Sequence, residues 1–210
     1  MLKLTNRLLL ISLTVVFFFS CKSYEISNAV KKENTLTEFK NPYFSNPETD
    51  YVYKAHIEVY GNAVGGIFVA KRINDSIHRV VFTTEFGNKL LDFEVSENDF
   101  KVNYILDELN RKMIVNTLRD DFRLLLKVNH QVNEMFESKD FEILKSSHKK
   151  RFNYFFINKN NSQLVKLVNA SKSKEKVVFE FESKNSIFAE IIKINHQNIK
   201  LKIVLNQINN

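Results

Sequence analysis

The only thiol in this chain belongs to Cys21, at the foot of an apolar run. A lone cysteine cannot form an internal disulfide, so it is a buried apolar residue, a reactive thiol or a point of attachment. Upstream, Lys3 and Arg7 precede the run LLLISLTVVFFF at residues 8–19. This run is shorter than the about 20 residues that a membrane-spanning helix needs. A cationic start followed by a short apolar run predicts a secretory signal peptide over residues 1–20.

The residues around Cys21 resemble the signal of bacterial lipoproteins, because the small residue Ser20 comes directly before the cysteine. The resemblance implies cleavage after Ser20, a diacylglycerol on the Cys21 sulfur, and acylation of the new amino terminus by a fatty acid such as palmitate. Two or more acyl chains anchor a protein stably, since each buried methylene contributes about 0.8 kcal/mol. We therefore expect a protein held on a membrane without crossing it. A plain signal peptide and a buried apolar cysteine are the alternatives.

The other titratable residues do not form a catalytic or metal-binding pattern. The histidines have no metal-ligand spacing such as HExxH, and no GxSxG or Walker motif occurs. The glycines of GNAVGG at residues 61–66 lack the phosphate-loop pattern, so a hairpin connection explains them better. Asp120 and Asp121 are expected at a helix start, where acidic groups complement the helix dipole. We predict a protein without enzymatic activity, metal or cofactor.

Charge and composition limit the expected partners. The formal net charge is +7, and basic and acidic residues are interspersed. Nucleic acid is not an expected partner of an exported chain. The densest basic stretch, KSSHKKR at residues 145–151, is either a solvated loop or a contact for anionic lipid headgroups. Nineteen Phe and seven Tyr with only four Gly are typical of regular strands filled by aromatic side chains.

The chain divides into three parts. Residues 1–20 are the predicted signal peptide, and residues 21–50, which are polar and contain both prolines, are predicted to be a lipidated amino terminus and flexible tether. The folded domain is predicted over residues 51–210. Apolar residues alternate with a period of two from Tyr51 onward, and the strand pattern resumes at Arg151 after a helical interval.

The helical interval, around residues 106–127, carries two apolar stripes that do not share one face. One stripe contains Leu106 and Leu109, and the other contains Leu118 and Phe122. A pair of short helices with a break near Val115 and Asn116 would bury both, with Thr117 as N-cap of the second. The whole pattern predicts a mainly β (α+β) fold. We expect a single curved antiparallel sheet, an unclosed β-barrel of about ten to eleven strands, with the short helical pair as lid or plug.

Several stretches in this order resemble the outer-membrane lipoprotein receptors of the LolB type, within the LolA/LolB-like lipoprotein-localisation fold. They are RVVFTTEFGNKLLDFEV at 79–95, the helical stretches LDELNRKM and NTLRDDFRLLL, and the terminal NIKLKIVL at 198–205. Residues 128–150 have no counterpart in the resemblance. Its implication is a half-barrel over residues 51–210 whose apolar cavity accepts acyl chains of lipoproteins or lipids.

The resemblance also implies a place and partners. The protein would be a monomeric outer-membrane lipoprotein of the bacterial envelope, facing the periplasm, and would receive or insert lipoproteins that a periplasmic carrier delivers. The family exposes an apolar residue on a protruding loop for membrane insertion, and Phe86, next to Gly87, is the matching position. Phe86 tucked under the sheet edge is the alternative.

Candidate lining residues for the cavity lie on the predicted strands, although ordinary core is the better explanation for each of them taken singly. They are Phe82, Leu91, Phe93, Phe100, Phe152 and Phe156. A second function of a different class therefore remains: a non-enzymatic structural or accessory envelope lipoprotein, with a filled β-sheet core, that docks onto an envelope complex.

Overall fold

The computed structural model describes residues 24–148, 150–184 and 187–208. The predicted signal peptide and Cys21 lie outside the described residues. One α-helix, α1 (Lys112–Leu126), and a 3-10 turn (Asp107–Leu109) interrupt a long series of strands. The strands are β1 (Val30–Lys32), β2 (Glu38–Lys40), β3 (Asp50–Val59), β4 (Asn62–Arg72), β5 (His78–Thr83), β6 (Lys89–Val95), β7 (Phe100–Ile105), β8 (Asn129–Gln131), β9 (Glu134–Glu137), β10 (Phe141–His148), β11 (Arg151–Asn158), β12 (Leu164–Ala170), β13 (Glu175–Glu182), β14 (Ile191–His196) and β15 (Leu201–Gln207).

The strands form one large antiparallel sheet of 13 strands and a small sheet of β2 with β8. In the large sheet the order is β1-β9-β10-β11-β12-β13-β14-β15-β3-β4-β5-β6-β7, so β1 and β7 are its open edges. This confirms the mainly β, unclosed antiparallel architecture. The number of strands exceeds the ten to eleven predicted, because residues 24–50 supply β1 and β2 and residues 128–150 supply β8, β9 and β10, of which only β10 is longer than four residues. Strands of three or four residues are too short to show an alternating pattern in sequence.

The main core lies on the concave face of the sheet. Period-two alternation on β3 buries Tyr51, Tyr53 and Ala55 on this face, as the sequence predicts. The buried face of α1, formed by Leu118, Phe122, Leu125 and Leu126, packs in the same apolar cluster. Sheet and helix thus enclose one core.

The predicted pair of short helices is wrong. A single unbroken helix runs from Lys112 to Leu126, and the hydroxyl of Thr117 donates to the carbonyl of Met113 over 2.9 Å inside it. Leu106 and Leu109 pack against the core from the 3-10 turn that precedes the helix. The two apolar stripes do not share one helical face because the first lies in the 3-10 turn and the second lies in α1. No break is therefore needed near Val115.

Residues 24–50 are packed against the domain, which corrects the predicted flexible tether for this part of residues 21–50. Tyr43 and Phe44 are 1% and 0% exposed in the main core. The amide of Asn41 donates to the carbonyls of Leu125 and Lys127, over 3.3 Å and 3.4 Å. The last carbonyls of a helix lack partners within it, so Asn41 ties the segment to the end of α1. Polar composition conceals this role in the sequence.

The outer, convex face carries a second, smaller apolar cluster. It contains Tyr154, Phe156 and Val168 of the sheet, and residues 24–29 lie over it through Tyr24 and Ile26. The ring of Tyr24 lies 5.2 Å from that of Tyr154 between centroids. The amino-terminal segment therefore covers the outside of the sheet, while residues 39–45 enter its inside.

Candidate functional site

The concave face beneath α1 is the largest apolar surface that the fold assembles. Phe93 of β6 lies 4.9 Å from Phe100 and 6.4 Å from Phe122 of α1, measured between ring centroids. Phe68 of β4 lies 5.6 Å from Phe122. Aromatic pairs at these separations and tilts are favourable. Phe122 of the helix thus packs against the aromatic rings of the sheet.

The structure brings four of the six predicted lining residues together on this face. Phe82, Leu91 and Phe93 are 3%, 2% and 0% exposed, and the partly buried Phe100 packs against the same cluster. With α1 in place these side chains form a closed apolar interior. Whether they also line a ligand site remains a prediction.

Phe152 and Phe156 are misplaced in the predicted lining. They belong to the cluster on the outer face, where the ammonium groups of Lys145 and Lys166 lie 4.9 Å and 4.1 Å from their ring centroids. The concave side chain of β11 is Phe155, whose ring lies 4.5 Å from that of His130. The stretch NYFFIN has aromatic residues at consecutive positions, so either set of alternating side chains could face the core. The pairing of β11 with its neighbouring strands decides which set does.

A buried polar pair joins α1 to the sheet. Nε2 of His196, at the end of β14, donates to Oδ2 of Asp121 over 2.9 Å, and both side chains are almost fully buried. Burial raises the pKa of the Asp121 carboxyl above its ordinary value, although the hydrogen bond from His196 opposes this shift. Asp121 lies in the second half of α1, so its predicted place at a helix start is wrong. No pattern in the sequence indicates that His196 is its partner.

Further contacts hold the carboxyl-terminal half of α1. Nε of Arg123 donates to the carbonyl of Ser96 over 3.1 Å, and Nζ of Lys127 lies 2.5 Å from a carboxylate oxygen of Glu97. Both partners lie in the turn between β6 and β7. Together with Asn41, these groups fasten one end of the helix, whereas its first turn carries the exposed Met113.

Phe86 stands at the tip of the β5–β6 hairpin and is 93% exposed. The amide of Gly87 donates to the carbonyl of Thr84 over 3.0 Å, and the amide of Asn88 donates to the Thr84 hydroxyl over 3.1 Å. Gly87 has φ +85°, the left-handed conformation that closes a three-residue hairpin loop and favours glycine. A hydrogen-bonded turn therefore presents the Phe86 ring to solvent, and the tucked alternative does not describe this structure.

The other strongly shifted carboxyl is structural. Asp92, on the outer side of β6, receives two hydrogen bonds from the guanidinium of Arg79 and one from Lys89. These cations hold its pKa well below the usual range. Within the described residues no group of three or more His, Cys, Asp and Glu side chains is arranged to hold a metal ion. Over the same residues, no helix is long and apolar enough to cross a membrane.

Comparison with known proteins defines the fold. No family model and no curated protein matches the chain. A LolA superfamily protein from Nitrosomonas europaea matches with a TM-score of 0.52 and 11% sequence identity, over 78% of this chain and 86% of that one. The chain therefore has a LolA-like fold, and the LolB type stays a prediction.

Two other solved structures are more distant. A DUF1329 family protein from Desulfovibrio piger matches with a TM-score of 0.46 and 9% identity, over 79% of this chain and 86% of that one. A domain from Vibrio parahaemolyticus, named for outer membrane lipoprotein sorting, matches with a TM-score of 0.45 and 10% identity, over 76% and 83% of the two chains.

Proposed function

We propose that this protein is an outer-membrane-anchored lipoprotein of the bacterial envelope that binds acyl chains against its concave face and receives or inserts lipoproteins. The observation that carries the proposal is the apolar, aromatic concave face of an unclosed sheet, covered by a single helix. The LolA-like fold and the exposed Phe86 support the same reading.

An acyl chain needs a protein surface because exposure to water is costly. At about 0.8 kcal/mol per methylene, moving a C16 chain from a bilayer into water costs about 12 kcal/mol. An apolar face replaces membrane contact by protein contact at similar free energy. Transfer can then follow differences in affinity between carrier, protein and bilayer, without a nucleotide.

In the proposed cycle α1 acts as a lid, because the face it covers is closed when it is seated. Its buried side chains, among them Phe122, occupy the space that an acyl chain would take. An entering chain must therefore displace α1 or its side chains. The acyl chain would then contact Phe82 and Phe93 in place of the helix.

The proposal is tested by acyl-chain binding to the mature chain, residues 21–210, carrying Cys21→Ser so that no attached lipid interferes. We expect co-purifying lipid in mass spectra and saturable binding of a fluorescent palmitate probe. Phe93→Glu places a charge on the concave face and should abolish binding, whereas Phe156→Glu, on the outer face, should not. Circular dichroism checks that both variants fold. Absence of probe binding by the folded parent would contradict the proposal.

The close packing of the interior favours a second candidate, an accessory envelope lipoprotein that docks onto a complex through its surface. Most of the apolar side chains in the main core are buried, and Phe82, Leu91 and Phe93 are at most 3% exposed, as in a solidly filled domain. Such a protein would bind no palmitate probe and would release no lipid on denaturation. The experiment above therefore separates the two candidates.

The anchor is tested in the bacterium. We expect Cys21→Ser to shift the exported protein from the membrane fraction to the soluble fraction when membranes are washed with high salt, because the attachment atom is lost and salt weakens contacts held by charge alone. Retention of this variant on salt-washed membranes would refute the anchor.

A further inference from the structure

The two ends of the strands form two rims of the half-barrel, and the chain enters the described structure at one of them. The upper rim carries the turns β3–β4, β5–β6, β10–β11, β12–β13 and β14–β15, and the start of α1. The amide of Tyr24 donates to the carbonyl of Lys172 in the β12–β13 turn, and its hydroxyl donates to Glu175, both over 2.8 Å. The described chain therefore begins at this rim, three residues after the predicted attachment point Cys21.

The upper rim is basic. Exposed cationic side chains lie on its turns and at the start of α1: Lys150, Arg151, Lys172, Lys174, Lys200, Arg111 and Lys112. The ion pairs formed by the described residues involve none of them. The acidic side chains at this rim are fewer: Glu85 pairs with Lys54, Glu175 accepts from Tyr24, and the exposed Asp107 and Glu108 lie just before α1.

The lower rim has the opposite character. Its turns carry exposed or partly exposed acidic residues, namely Glu48, Asp75, Glu97, Asp99, Asp140 and Glu190. Cations there are largely paired with carboxylates, as Arg72 is with Asp75 and Lys127 is with Glu97. Exposed apolar residues occur at both rims, for example Phe86 above and Ile73 below. Charge, rather than apolarity, distinguishes the two ends.

We propose that the upper rim is a docking surface for anionic lipid headgroups, which holds this end of the half-barrel and the Phe86 hairpin against the membrane. This inference rests on the proposed function, because it takes Cys21 as the anchor. Charge complementarity and the point at which the chain enters the structure both select the same rim. Basic side chains near an anionic surface each contribute about 1 kcal/mol. The repelled acidic rim would face away from the membrane.

Vesicle binding tests the surface separately from acyl binding. The mature chain with Cys21→Ser should bind vesicles containing about 30 mol% phosphatidylglycerol in phosphatidylcholine, and binding should weaken with salt. Lys172→Glu with Lys174→Glu should lower vesicle affinity by at least about tenfold. The matched control is Lys139→Glu with Lys184→Glu, which changes the net charge by the same amount at two exposed lysines in lower-rim turns. It should leave affinity within about twofold of the parent.

Orientation is read from single tryptophans, because the natural chain contains none. Phe86→Trp on the upper rim should show blue-shifted emission on the anionic vesicles. Ile73→Trp, on the β4–β5 turn of the lower rim and 51% exposed, should not shift. A shift of both probes, or of the Ile73→Trp probe alone, would overturn the assignment of the rim.

The remaining outcomes separate the two proposals. Equal loss of vesicle binding in the upper-rim and lower-rim variants would reduce the effect to overall charge and overturn the inference. A parent that binds the palmitate probe but no anionic vesicle would also overturn it, and would point to an acidic protein as the partner of the rim. A parent that docks through the upper rim but binds no acyl chain would retain the inference and refute acyl-chain binding.

Discussion

At the scale of single residues, Phe86 is the side chain whose position has no structural explanation. It is 93% exposed on a turn closed by Gly87 and Thr84, so the fold gains no burial from its ring. A tip of a hairpin ordinarily carries a polar residue, and a large exposed apolar one marks a contact with another surface.

We expect Phe86→Glu to leave the free energy of unfolding within about 0.5 kcal/mol of the parent, because the side chain contacts little. Lipoprotein insertion into vesicles should fall by at least about tenfold, since burial of a Phe side chain is worth about 2 kcal/mol. Phe86→Leu is the control and should retain most of the transfer. Unchanged transfer by Phe86→Glu would remove Phe86 from the proposed function.

His130 gives the fold a dependence on pH. Its Nε2 donates to the carbonyl of Lys127 over 3.0 Å, its ring packs on Phe155, and burial lowers its pKa to about 4. The unfolded chain, with an ordinary pKa near 6.5, binds the proton more readily. Stability contributed by neutral His130 is therefore complete above about pH 6.5 and is lost as the pH falls towards about 4.

This linkage predicts a fall of about 3 kcal/mol in the free energy of unfolding between about pH 6.5 and about pH 4 from His130 alone. His130→Gln should flatten that part of the profile, measured by urea unfolding at each pH. The exposed His56 serves as control, and His56→Gln should keep the slope of the parent. An identical slope in His130→Gln would show that other groups set the pH dependence.

At the scale of elements, Gly66 lets β4 and β5 approach each other on the concave face. A Cβ at this position would lie 2.0 Å from the carbonyl oxygen of Thr83 and 2.8 Å from the ring of Phe82. The Phe82 ring therefore occupies the place of the missing side chain, as aromatic residues do over strand glycines. The sequence predicted GNAVGG as a hairpin connection, but β4 already begins at Asn62.

We expect Gly66→Ala to destabilise the protein by about 3 kcal/mol, because backbone atoms of β5 must move to admit the methyl group. Gly65→Ala is a matched control, since the nearest atom to its Cβ would be the carbonyl oxygen of Ala55 at 3.9 Å. It should change stability by less than about 0.5 kcal/mol. Thermal and urea unfolding of the two variants give the comparison, and equal effects would argue against the close approach.

At the scale of the whole molecule, α1 and the sheet are held together by apolar contact and by one buried polar pair. Removing one member of such a pair leaves the other buried without a partner, which costs more than the pair itself contributes. Asp121 and His196 thus make the closure of the concave face sensitive to a single side chain.

We expect Asp121→Ala to lower the free energy of unfolding by about 2 kcal/mol and to speed amide hydrogen exchange in α1. The control is Asp120→Ala, one residue away and exposed, which should do neither. Adding His196→Ala to Asp121→Ala should cost less than the sum of the single changes, because the two side chains interact directly. Equal exchange of α1 in the Asp120 and Asp121 variants would refute the role of the pair in closure.

The class of fold, and the local features that depend on neighbouring residues, can be predicted from the amino-acid sequence alone. Alternation along β3 and β5 indicated antiparallel strands, and the helical interval lay where α1 is found. These features follow from the period of side chains along a strand or helix, which a single chain segment already contains.

The surface that each segment packs against depends on strand pairing and on contacts between distant parts of the chain. Pairing of β11 with its neighbours sent Phe155 inward and Phe152 outward, although both phases suited the sequence. Contacts over long separations in sequence brought Asn41 to the end of α1 and His196 to Asp121. Each of these partners is polar, and a polar residue has no periodic signature, because its burial depends on a partner elsewhere in the chain.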